Sequence, residues 1–95
     1  MDDQPTAALL TLVKGLSPNP VSDVLTVQHN FTGKEAILVR VFDIFGRQVD
    51  AVSFNKNEMP AGQFSLNTSH YPAGTYLIGF VQDGKSLGAL KFIKN

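Results

Sequence analysis

The 95-residue chain contains no cysteine and no tryptophan. Without cysteine there can be no disulfide, no thiolate metal site and no cysteine nucleophile. The compartment stays open, because a cysteine-free chain suits any redox setting. An excess of either charge is also missing, since 8 Lys+Arg stand against 8 Asp+Glu. Affinity for nucleic acid comes from neutralising phosphates, so no nucleic-acid partner is expected. The longest nearly continuous apolar run covers residues 7–13 and is broken by Thr11. A membrane-crossing helix needs roughly 20 residues, so no membrane insertion is expected. The opening residues Met1, Asp2, Asp3 and Gln4 are acidic, whereas a signal peptide begins with a basic region. Met1 therefore reads as an added start or the edge of a trimmed piece.

Catalytic and metal-binding patterns are equally scarce. The two histidines, His29 and His70, have no third ligand at a suitable spacing, and they read as surface or strand-end residues. Asp43 and Asp83 fall at turns, where a carboxylate bonds nearby backbone. No run of alternating aspartates suggests calcium. The serines lack a nucleophile elbow and the glycines form no phosphate loop. The reading is a protein with no metal, no cofactor and no catalytic residue, not an enzyme.

What is present is a strand pattern. Apolar residues make up 43% of the chain, enough to fold one small domain. Turn signals recur at Ser17-Pro18-Asn19-Pro20, Thr32-Gly33, Phe45-Gly46-Arg47, Met59-Pro60-Ala61-Gly62, Tyr71-Pro72-Ala73-Gly74 and Asp83-Gly84. The intervening segments have strand length and are rich in Val, Ile, Leu, Phe and Thr. Seven strands are expected, over 8–14, 23–30, 36–43, 47–54, 63–68, 75–82 and 86–93. In the third, Arg40 marks the wetter face, which assigns Ile37, Val39 and Val41 to the core. The sixth carries Tyr76, Ile78 and Phe80 on one face and Leu77, Gly79 and Val81 on the other, so it is central or has a contact surface. Asp83-Gly84 is a strong hairpin signal, and Gly46 suits the left-handed position of a longer one. The fold class is all-β, a seven-stranded antiparallel immunoglobulin-like sandwich over residues 7–95, preceded by a loose tail over 1–6. Tyr76, in Gly74-Thr75-Tyr76, stands where such sandwiches place a tyrosine corner.

Four motifs carry a family resemblance. Ser17-Pro18-Asn19-Pro20-Val21-Ser22-Asp23 resembles the opening of the C-terminal sorting domains of the type IX (Por) secretion system of Bacteroidetes. Val39-Arg40-Val41-Phe42-Asp43-Ile44-Phe45-Gly46-Arg47-Gln48-Val49 resembles that family's hairpin. Pro72-Ala73-Gly74-Thr75-Tyr76 is similar to its Pro-Ala-Gly-x-Tyr step, with Tyr71 in place of the usual leucine. Gly84-Lys85 and Lys91-Phe92-Ile93-Lys94 resemble its closing strand. The resemblance spans about residues 16–95 and implies a job. Such a domain directs an attached N-terminal cargo domain from the periplasm across the outer membrane to the cell surface or beyond. Its implied partners are the type IX translocon, an outer-membrane shuttle protein and a sortase-like cysteine peptidase. The peptidase would remove the domain upstream of the sandwich, which points to the region of residues 2–8 or to residues that precede this piece of chain.

With that job in view, Gly74, Gly84, Lys85, Lys91 and Lys94 form the expected recognition set. For the two glycines, turn geometry alone is an equal explanation. Physics alone reads the lysines as guards of an edge strand. Pro18, Asn19, Pro20, Asp43, Gly46 and Tyr76 are read as structural. The alternative function is an adhesion or carbohydrate-binding module, for which Phe31, Phe42, Phe45 and Tyr71 are the available aromatics.

Overall fold

The computed structural model describes residues 4–95. A short helix, α1 (Ala7–Leu12), leads into seven strands: β1 (Val13–Ser17), β2 (Val24–His29), β3 (Ile37–Asp43), β4 (Gln48–Phe54), β5 (Gln63–Asn67), β6 (Gly74–Gln82) and β7 (Lys85–Lys94). They form two antiparallel sheets ordered β1-β2-β5 and β4-β3-β6-β7. This is the expected all-β sandwich, with β4 hydrogen-bonded beside β3. From β2 onward the strand bounds lie within a residue of those read from the sequence.

The first strand differs. Residues 8–14 were expected to be extended, but Ala7–Leu12 is helical and the strand begins at Val13. Thr6 caps the helix, its Oγ1 accepting from the Leu9 amide at 3.1 Å. The turn that follows holds Ala and Leu, good helix formers. Leu9 is fully buried and anchors this turn to the core. Residues 4–6, expected within a loose tail over 1–6, make defined contacts. Thr6 bonds Leu87 through both its amide and its hydroxyl, and the backbone of Gln4 and Pro5 lies against Gly88. Residues 1–3 fall outside the described residues.

The core sits between the sheets. Ile37, Val39 and Val41 of β3 face inward, as do Tyr76, Ile78 and Phe80 of β6. Leu25 and Val27 of β2 and Phe64 and Leu66 of β5 meet them from the other sheet. Each such side chain stabilises the fold by roughly 1.5–3 kcal/mol of burial. The sixth strand is central, flanked by β3 and β7. Its outer face is covered in part by Phe42, whose ring lies beside Gly79 and beneath the Arg40 guanidinium at 5.7 Å.

The edge of β7 is closed at both ends. Near its start the Leu87 carbonyl accepts from Thr6. Near its end the Ile93 amide donates to Asn19 Oδ1 at 2.9 Å, and the Ile93 carbonyl accepts from the Val21 amide at 2.8 Å. An edge strand offers unpaired amides and carbonyls that invite foreign strands, and these contacts occupy them. The Asn19-Pro20-Val21 segment is thus a cap on the last strand. The Asn19-Pro20 peptide bond within it, and Ser17-Pro18 just before it, are both cis.

Candidate recognition site

Three of the family-like motifs, and the end of the fourth, meet at one end of the sandwich. The β3–β6–β7 register fixes this, since Asp43 pairs with Tyr76, Tyr76 with Phe92 and Gly74 with Lys94. Val21 then bridges to Lys94.

The 43–47 turn is built around one carboxylate. Asp43 Oδ1 accepts from the amides of Phe45 (2.9 Å) and Arg47 (3.0 Å), and Oδ2 accepts from Arg47 Nε at 2.9 Å. Gly46 completes the turn at φ 81°, where a side chain is disfavoured. Desolvation pushes the Asp43 carboxyl up, but the Arg47 and Phe45 amides and the Arg47 guanidinium outweigh it and hold it below its ordinary value. With the polar groups turned inward, the tip presents Ile44 and Phe45, which are 68% and 77% exposed. The Arg47 guanidinium sits 5.4 Å from the Phe45 ring centre.

Across from this tip runs the 72–76 segment, and the two enclose a groove of about 210 Å³ lined by Asp43, Phe45, Arg47, Ala73 and Thr75 among others. The Tyr76 hydroxyl donates to the Pro72 carbonyl at 2.5 Å, a bond of the tyrosine-corner kind. Tyr71 lies beneath, its hydroxyl donating to Asp50 Oδ2 at 2.8 Å. Burial raises the Tyr71 phenol well above its usual range, and the adjoining Asp50 carboxylate raises it further. The rings of Tyr71, Tyr76 and Phe92 follow one another at 5.2 and 5.6 Å between centres. This stack forms the floor of the corner.

The structure divides the expected recognition set. Gly74 lies at this corner, while Gly84 and Lys85 lie at the far end of β6. A nine-residue strand separates the two ends, about 30 Å of extended chain. Lys91 and Lys94 do not share a surface. Lys91 is exposed, but Lys94 is only 7% exposed and donates from Nζ to the Tyr71 carbonyl at 3.0 Å. The physical reason is alternation along β7: Phe92 and Lys94 point inward, Lys91 and Ile93 outward. The expected exposed lysine strip is corrected to a single exposed lysine beside Ile93. Asp83 also differs from the expected local turn bond, since its Oδ1 accepts from the Ala36 amide on the neighbouring connection. Ile44 and Phe45 were not read as recognition residues. Their signal was available, because two large apolar residues occupy the middle of a turn where polar ones are usual.

Among the described residues no cluster of His, Asp and Glu could hold a metal ion. Among the same residues no helix is long and apolar enough to cross a membrane. Of the aromatics available to a carbohydrate platform, Phe31 and Tyr71 are buried and Phe42 is half-buried, leaving Phe45 alone exposed.

The molecule is thus a small antiparallel sandwich whose family-like motifs gather at one end. The family model of the secretion system C-terminal sorting domain matches residues 16–95, and the chain belongs to that family, the sorting domains of type IX secretion. No characterised protein matches the chain in a direct sequence comparison. The membership makes this a domain of a secreted protein.

Proposed function

We propose that this domain carries an N-terminal cargo across the outer membrane through the type IX translocon. An outer-membrane shuttle protein would bind it, and a sortase-like cysteine peptidase would then cut it from its cargo at the cell surface. The supporting observation is the gathering of the family motifs at one corner, where Asp43 and Tyr76 fix the backbone and Ile44 and Phe45 are left in water. A sorting signal attached to many cargoes must be read from its own surface. An apolar pair held on a rigid turn is a surface of that kind. In this reading Ile44, Phe45, Gly74, Lys91 and Ile93 face the machinery, whereas Asn19, Pro20, Asp43, Gly46, Tyr76 and Lys94 hold the corner in shape. Gly84 and Lys85 act as the β6–β7 turn.

The test is a periplasmic reporter fused to residues 4–95 in a type IX-competent bacterium. The wild-type fusion is expected at the cell surface, and its retention in the periplasm would reject the sorting reading. Ile44→Ser with Phe45→Ser is expected to reduce export while changing stability by no more than about 0.5 kcal/mol, the usual range for surface substitutions. Undiminished export of that variant would move the recognition surface elsewhere on the sandwich.

A further inference from the structure

The chain enters the sandwich across its own last strand, at a bulge in that strand. The register of β7 against β6 shifts between Phe80 and Val81, so Leu87 is an extra residue there. Gly88 takes φ +91° beside it, and a Cβ at Gly88 would overlap the Gln4 carbonyl oxygen and lie 2.9 Å from the Pro5 Cα. Only glycine leaves room for the crossing chain. One residue away, the Leu87 carbonyl accepts from the Thr6 amide at 3.1 Å and from the Thr6 hydroxyl at 2.8 Å. The same hydroxyl oxygen accepts from the Leu9 amide, at the start of the turn that buries Leu9. The bulge, the strap over it and the helix cap are therefore one connected contact. Bulges of this sort are specific features of a strand, not defects of pairing.

We propose that residues 4–6 form a latch on the Leu87–Gly88 bulge. Closed, the latch holds α1 against the sandwich and keeps residues 6–12 out of reach of peptidases. A peptidase needs several residues in extended form, and neither a clasped strap nor a helix supplies them without local opening. Open, it releases both the helix and the β7 edge at Leu87. While the latch is closed, a cut that separates this domain from whatever precedes it falls before Thr6. Of the region expected from the sequence, this favours the part before Thr6, whether or not the sorting reading holds.

Native digestion of the purified 95-residue chain with proteinase K, read by the masses of the products, tests the latch. The wild-type resistant fragment is expected to retain Thr6 and α1. Gly88→Ala is expected to speed cuts within residues 6–12 by about tenfold or more, because it both strains the backbone and displaces Gln4. Gly84→Ala is the control. Gly84 has φ +81° but nothing within 4 Å of a Cβ, so it carries comparable strain away from the strap and should leave those cuts slow. Thr6→Val, which removes the hydroxyl and keeps the amide, should speed them by a smaller factor. If Gly88→Ala does not fold, Thr6→Val against Gly84→Ala decides. The proposal is overturned if wild type is cut within 6–12 as fast as the variants, or if Gly84→Ala accelerates those cuts as much as the strap variants do.

Discussion

Lys94 sits inward because the alternation of β7 leaves it no other side, and its long stem lets the ammonium reach the Tyr71 carbonyl. Removing it leaves that buried acceptor without its donor, at a cost of about 1–3 kcal/mol. Lys91→Ala, on the exposed face, should change stability by no more than about 0.5 kcal/mol. Urea denaturation of the two single variants checks the contrast, and equal effects would contradict it. His29 supplies a second residue-scale prediction. Its ring is 2% exposed, lies between Phe31 and Phe64, and accepts the Phe31 amide at Nδ1 at 3.0 Å. The proton of the neutral ring is therefore on Nε2, which is buried without a regular hydrogen bond. Desolvation lowers its pKa from 6.5, and the nearby Pro60 carbonyl offsets this only in part. The unfolded chain takes up this proton first as pH falls, so the neutral ring's contribution is complete above pH 6.5 and shrinks as pH drops from there toward the lowered folded value. His29→Asn keeps an acceptor near Nδ1 and does not titrate. Denaturation at pH 8 and pH 5 should show a smaller loss of stability for this variant than for the native chain.

At the scale of elements, the capping role of Asn19 makes a local prediction. Asn19→Ala removes the acceptor for the Ile93 amide at the end of β7. The expected loss is about 1 kcal/mol, with hydrogen exchange quickened at Ile93 more than at the centre of β6. Uniform exchange along both strands would refute the cap. The strands themselves were mostly legible in the sequence. β3 shows its inward face through Ile37, Val39 and Val41 against Arg40, and Asp83-Gly84 announces its hairpin with φ values of 48° and 81°. The opening segment was not legible. A short apolar run has no length over which periods of 2 and 3.6 can be separated, and the deciding facts, the Thr6 cap and the burial of Leu9, are tertiary. The corner was half legible. Asp43, Gly46 and Tyr76 could be read as turn and corner residues from local chemistry. The inward turn of Lys94 could not, because a lysine beside an isoleucine inverts the usual rule about which of the two is buried.

At the scale of the whole molecule, β7 joins otherwise separate parts. It pairs with β6 along its length, receives Thr6 near one end and Asn19 and Val21 near the other, and sends Leu87 and Phe92 into the core. Motif residues far apart in sequence therefore share one folding unit. A fragment of residues 1–84 loses those two buried side chains, worth roughly 3–6 kcal/mol together. It also strips a central strand of its partner and leaves Thr6, Asn19 and Val21 without theirs. Domains of this size have only about 5–15 kcal/mol in total. The fragment is expected to be unfolded, with a narrow amide-proton NMR spectrum and no cooperative thermal transition. The intact chain should show a dispersed spectrum and a single transition. A cooperative transition in the shortened fragment would mean that the two sheets stand without β7, and that the corner could form before the end of the chain is made.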